Sequence, residues 1–252
     1  MPHKFLLTFL LIALSQYCLG QQDYALNFRN TQLASKRVVD AIKKYDDSAS
    51  REFKRKNSPY PPKDIFLRVF KLQNEMELWA RNNENSEYKF IKLFRVCAIS
   101  GALGPKRTQG DRQVPEGFYF IEDFNPQSDY YLSMQLNYPN YSDSMQGKGK
   151  LGGDIYIHGG CVTIGCLPMT DEGIKELYTI CLNARLNGQE NIPVHVFPTR
   201  LTNSGMAYLK HEYPKDLAKQ QFWTEMKSSF DYFEKTHKLL PVMYGMDGWY
   251  VY

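Results

Sequence analysis

Apolar positions in this chain change their period several times, and each change marks an element. Between residues 31 and 53, Ala34, Val38, Ile42 and Tyr45 recur at helical spacing with charges between them, which predicts a helix. The basic run Lys54-Arg-Lys-Asn-Ser-Pro-Tyr-Pro-Pro62 then breaks the pattern, and its prolines predict a boundary. Residues 65–72, 75–80 and 88–98 follow as short runs rich in Ile, Phe, Leu, Val and Trp, parted by Asn-rich turns. That pattern predicts a meander of strands. Alternation in Tyr88-Lys-Phe-Ile-Lys-Leu-Phe-Arg-Val is imperfect, as in a strand largely buried.

Residues 100–117 carry enough glycine and proline to predict a long, irregular loop, and long structured loops are often functional. Residues 118–122, 130–136 and 154–158 continue the strand pattern, with a polar, Tyr-rich loop over 137–153. Thr170 suits a helix cap, Asp171 and Glu172 its first turn, and Ile174, Leu177, Tyr178 and Cys181 its buried stripe. Asn187-Gly188 closes that helix. A strand is predicted over 193–197. After Pro198 the pattern is helical, with Asp216 as a cap, Trp223, Met226, Phe230 and Phe233 on one side, and Pro241 as a stop. The aromatic tail 243–252 is expected to pack on the domain. The whole reads as mainly β with flanking helices, an α+β fold, without internal repeats.

The first twenty residues have a different logic. Lys4 begins them, an apolar core of residues 5–14 is too short to span a bilayer, and Cys18-Leu-Gly20 offers a signal-peptidase site before Gln21. The chain therefore divides into a signal peptide (1–20), an N-terminal helical segment (21–61), a central domain (62–200) and a helical C-terminal extension (201–252). Export to the periplasm or cell envelope is expected, with no membrane span in the mature chain. A net charge of +4 is too mild to argue for nucleic acid. The 18 Tyr and 15 Phe suit a β-rich core and a polymer-binding surface. Four cysteines remain beyond the leader. Cys97 sits in a strand pattern and Cys181 on a helix stripe, and both read most simply as buried small hydrophobes.

The candidate chemistry lies in Asp154-Ile-Tyr-Ile-His158-Gly-Gly-Cys161-Val-Thr-Ile-Gly165-Cys166-Leu-Pro-Met-Thr170-Asp171. His158 ends a strand. Gly159, Gly160 and Gly165 let the backbone fold sharply, so that a thiol eight residues on approaches the imidazole. Cys166 reads as the nucleophile and His158 as its general base and acid. A nearby helix start and an imidazolium are both expected to favour thiolate. Backbone N–H groups at Gly165 and Cys166 are candidates for an oxyanion hole. Cys161 reads as a second thiol, a redox partner of Cys166 or a filler, with filler preferred. A zinc site on His158, Cys161, Cys166 and Cys181 is the chemical competitor, disfavoured because Cys181 fits its helix stripe. His195 is a second base candidate whose simpler reading is an exposed strand histidine.

The stretch from Ile157 to Asp171 resembles the signature of L,D-transpeptidases with a YkuD-type catalytic domain, and more narrowly the YafK-like murein branch. The segment Gly104-Pro-Lys…Gly110-Asp-Arg-Gln-Val-Pro-Glu-Gly-Phe-Tyr is similar to the same family's segment ahead of the active site. Ile164 stands where most members have a second histidine, and Leu167-Pro168-Met169 where most have arginine or asparagine. The resemblance implies a β-sandwich-like domain and cysteine acyl transfer on peptidoglycan stem peptides. A thioester forms on Cys166, a backbone carbonyl at Gly159 or Gly160 orients His158, and no metal or organic cofactor is required. A wall-attached protein is a further implied partner. An amidase or L,D-carboxypeptidase using the same pair, and a non-catalytic wall-binding protein, are the alternatives.

Overall fold

The computed structural model describes residues 25–252, so the expected leader, its cleavage site and Cys18 lie outside the described residues. Strands β1 (Asp64–Phe70), β2 (Glu75–Arg81), β3 (Lys89–Arg95), β4 (Gly117–Asn125), β5 (Ser133–Leu136), β6 (Tyr156–His158), β7 (Leu167–Pro168) and β8 (Ile192–Phe197) form one mixed sheet. Its order is β3-β2-β1-β8-β4-β5-β6-β7. The β1/β8 and β6/β7 pairs are parallel, and the other neighbours are antiparallel. The antiparallel pairs β1/β2, β2/β3, β4/β5 and β5/β6 follow one another in the chain, whereas β8 reaches both β1 and β4 only after long connections.

Helices cover both faces, which makes the fold α+β. Residues 25–33 form α1, and α2 (Lys36–Arg55) and α4 (Asp171–Leu186) pack on one face. That face buries Ile65, Leu67 and Val69 of β1 against the predicted α4 stripe of Ile174, Leu177, Tyr178 and Cys181. The other face carries α5 (Asn203–Glu212) and α6 (Leu217–Thr236). Phe70, Phe118 and Phe197 of the sheet meet Phe222, Trp223, Met226 and Phe230 there. Alternate residues of β1 thus enter two different cores, which is why this strand is apolar almost throughout. Arg68 is the exception, and it lies under α6 in an ion pair with Glu234 at 2.8 Å.

Several boundaries differ from the expected ones for local reasons. The N-terminal helix breaks at Ser35, whose extended backbone lets its hydroxyl donate to Pro126 O. Restarting there rotates the stripe, so Val38, Ala41, Ala49 and Phe53 are buried while Ala34 is exposed. The loop expected over 137–153 contains the short helix α3 (Tyr141–Gln146), started by a reciprocal cap between Asn140 and Asp143. Asp216 caps α6 as expected, but the helix ends at Thr236 with His237 in the left-handed region, ahead of Pro241. The tail forms a small hairpin, β9 (Met243–Tyr244) with β10 (Tyr250–Val251), and packs Tyr250 on Phe118 with 4.6 Å between rings.

Candidate active site

The site sits on the last two strands of the sheet. Ile157 pairs with Leu167 and His158 with Pro168, in parallel register. Ile157 and Leu167 are fully buried, which fixes the inward side of both strands. Because successive residues alternate sides, His158 and Cys166 fall together on the opposite side. Strand spacing and rise put their backbones about 8 Å apart on the diagonal, a span that an imidazole and a thiol can close between them.

The connection between the strands is held by its own polar atoms. Met169 N–H donates to His158 O at 2.7 Å and Cys161 N–H to Met169 O at 3.2 Å. Gly160 N–H donates to Asp171 Oδ1 at 3.0 Å. Thr163 works twice: its hydroxyl donates to Cys166 O at 2.8 Å and accepts from Gly165 N–H at 3.1 Å. Gly159 has no room for a side chain, since a Cβ there would lie 2.8 Å from both Asp171 Oδ1 and Tyr130 O. Thr170 caps α4 as expected, accepting from Gly173 N–H at 3.0 Å.

The imidazole is oriented by the carbonyl beside it. His158 Nδ1 lies 2.5 Å from Gly159 O. A carbonyl can only accept, so the proton is on Nδ1 and the Nε2 lone pair is left as a base. Tyr130 lies against the ring in a tilted arrangement, with 4.5 Å between centroids. Burial under that ring lowers the His158 pKa, with the Gly159 carbonyl opposing. Cys166 Sγ accepts from Tyr156 N–H at 3.4 Å and lies 3.5 Å from Asp154 O, which can accept from the thiol. Burial pushes this thiol up, and the Tyr156 amide and the Lys106 ammonium offset it only in part. Both shifts run against charge, the thiol away from thiolate and the imidazole away from imidazolium, because both groups are desolvated.

The loop expected over 100–117 reaches the site, with Gln113 O closing on Gly165. The loop is anchored from below by Lys71, whose Nζ donates to the carbonyls of Ala102, Gly104 and Val114 and pairs with Glu116 at 2.9 Å. Glu116 also accepts from Gly104 N–H and Trp223 Nε1–H.

Three sequence readings need correction. Cys97 and Cys161 are not separate small fillers but a disulfide, with Cα atoms 5.2 Å apart. With Cys161 oxidised and Cys181 buried in α4, its thiol pushed up by desolvation, the zinc reading loses two of its four ligands. His195 is not an exposed strand histidine. It is buried between the edges of Phe66 and Phe118, each 4.6 Å away, and burial, then the Arg68 charge, pushes its pKa down to about 3. Asp171 and Thr163 were missed as loop clips. Their only sequence signal is proximity to the Gly-rich turn.

The fold and the site define an α+β domain whose free thiol and imidazole share one side of a two-strand parallel edge. Residues 66–196 match the YkuD family model, the L,D-transpeptidase catalytic domain. The chain is 35% identical over 205 residues, 80% of its length and 78% of the relative's, to the protein of Escherichia coli K12 named "Putative L,D-transpeptidase YafK". It belongs to the L,D-transpeptidase catalytic-domain family. Among solved structures it is similar to the helical cell shape determining protein Pgp2 of Campylobacter jejuni, with 18% identity, 72% and 73% of the two chains covered, and a TM-score of 0.44. Bd1075 of Bdellovibrio bacteriovorus matches at 20% identity, 70% and 63% coverage, and a TM-score of 0.40.

Proposed function

We propose that this chain is an exported L,D-transpeptidase that acts on peptidoglycan stem peptides through a thioester on Cys166. The observation that carries this reading is the His158 Nδ1 contact with Gly159 O, which turns Nε2 into a base on the same side of the strand pair as the free thiol. Cys166 Sγ attacks the carbonyl at the L-centre of the third stem residue as its proton passes to His158 Nε2. The oxyanion is received by the Cys166 N–H and, once it leaves Thr163 Oγ1, by the Gly165 N–H. The imidazolium then protonates the departing amine. An acceptor amine, losing its proton to the same nitrogen, resolves the thioester and restores the thiol. Gly159 orients the base, and no metal or organic cofactor enters a step.

The leader read in residues 1–20 supports delivery to the periplasm or cell envelope, where this substrate is found. No helix of the described residues is long and apolar enough to cross a membrane. The acceptor is a second stem peptide or a wall-attached protein.

A hydrolytic outcome on the same pair has one observation in its favour. Ile164 is 76% and Val162 56% exposed, so the outer lip of the nucleophile loop stands open to water. The deciding experiment supplies a tetrapeptide donor together with a labelled D-amino acid or diaminopimelate acceptor and reads products by mass. Labelled exchange or dimer is the expected result. Tripeptide alone at every acceptor concentration would make the enzyme an L,D-carboxypeptidase or amidase.

A further inference from the structure

The Cys97–Cys161 disulfide holds the start of the nucleophile loop, and Cys97 also holds its end. Cys97 Sγ is bonded to Cys161, and Cys97 N–H donates to Pro168 O at 2.8 Å. One residue just beyond β3 therefore grips both sides of the segment that carries Cys166. The other hydrogen bonds of that stretch run within itself, to the β5 and β6 side or to the start of α4: Met169 to His158, Cys161 to Met169, Gly160 to Asp171, Gly159 to Tyr130 and Leu132, and Tyr156 to Cys166 Sγ. None of these fixes it against the distant end of the sheet. The backbone between has little stiffness of its own, since Gly160 and Gly165 occupy the positive-φ region that glycine enters freely.

We infer that Cys97 and Cys161 are positioning residues, and that their disulfide holds Cys166 in register with His158. The inference rests on the reading of Cys166 as nucleophile. The bond is also reachable, since Cys161 is exposed and Cys97 half-buried. A dithiol reductant can open it: the reductant's two sulfurs become a disulfide, and Cys97 and Cys161 each gain one electron and one proton to end as thiols. The loop would then keep only its hydrogen bonds and the burial of Leu167 and Met169. Displacements of about 1 Å at a reacting group cost on the order of 100-fold in rate, and substrate contacts made elsewhere would be spared.

The test uses the mature full chain and muropeptide donor, in three forms: untreated, treated with dithiothreitol, and Cys97→Ala/Cys161→Ala. Non-reducing peptide mapping checks that the first holds the linked peptides. Circular dichroism selects a temperature at which all forms remain folded. If the double variant does not fold, brief reduction of the folded wild type and its reoxidation carry the test. The expected result is a fall in kcat of tenfold or more with KM changed less than threefold, a changed rate of Cys166 alkylation by iodoacetamide, and recovery on reoxidation. A reduced, folded enzyme with kcat within twofold of the untreated one overturns the inference. Cys166→Ala, run alongside, separates the two levels: if that variant turns over, it is the nucleophile assignment that has failed.

Discussion

Two buried histidines show how environment divides roles. His158 and His195 both lose proton affinity to burial, but His158 has a carbonyl acceptor on Nδ1, while His195 is enclosed by the edges of phenylalanine rings. His158→Ala is expected to lose at least about 100-fold in kcat, the scale of a lost general base, and His195→Leu to lose little. The rate should fall on the acid side below pH 6.5, because a depressed imidazole pKa keeps the base neutral above that point. It should not fall as pH rises through neutrality. A profile needing imidazolium, lost between pH 7 and 9, would speak for a preformed ion pair instead. Stability is lost in the same direction, on the acid side. His195 titrates at about 3 when folded and near 6.5 when unfolded, so the unfolded chain binds the proton first. Stability is then full above 6.5 and falls with pH, by about 2 kcal/mol between pH 7 and 5. Urea unfolding of His195→Leu should lack this slope, apart from the smaller share that belongs to His158.

At the scale of elements, most strands were legible because their apolar runs are long enough to show a period. Residues 64–70 and 117–125 are examples. The two-residue β7 was not, since two positions have no period, yet it is the strand that delivers Cys166. The short helix α3 had a signal, Asn140 followed by Asp143 three residues on, but it was masked by the tyrosines around it. The core motif of the site was readable as a motif. Its disulfide was not, because pairing Cys97 with Cys161 needs the β3 end to lie beside the loop, and 64 residues separate them. His195 misled because alternation in β8 puts it on a side that the strand pattern suggested was open, whereas the C-terminal helices cover it. The Lys71–Glu116 pair is the other tertiary feature invisible in sequence. It joins β1, the 102–116 loop and α6 through fully buried charges with satisfied donors. Glu116→Ala leaves an unpaired ammonium in the core and should cost about 3–5 kcal/mol in urea unfolding. A loss below 1 kcal/mol would mean that water reaches Lys71.

Taken as a whole molecule, the sheet is closed by helices on both faces, and chemistry is left to its edge. The first face rests on α2 and α4, the second on α5, α6 and the C-terminal hairpin. Strand β7 ends the sheet order, so the loop between β6 and β7 has a neighbouring strand on one side only. A nucleophile placed there can meet a polymer that could not enter a closed pocket. The most direct test of cysteine acyl transfer is intact-protein mass spectrometry of the mature enzyme mixed briefly with a tetrapeptide donor. The account predicts a transient adduct of the stem tripeptide on Cys166, discharged by an acceptor amine and absent from Cys166→Ala, which should also make no product. Continued turnover by Cys166→Ala, or an adduct mapped to another residue, would contradict it.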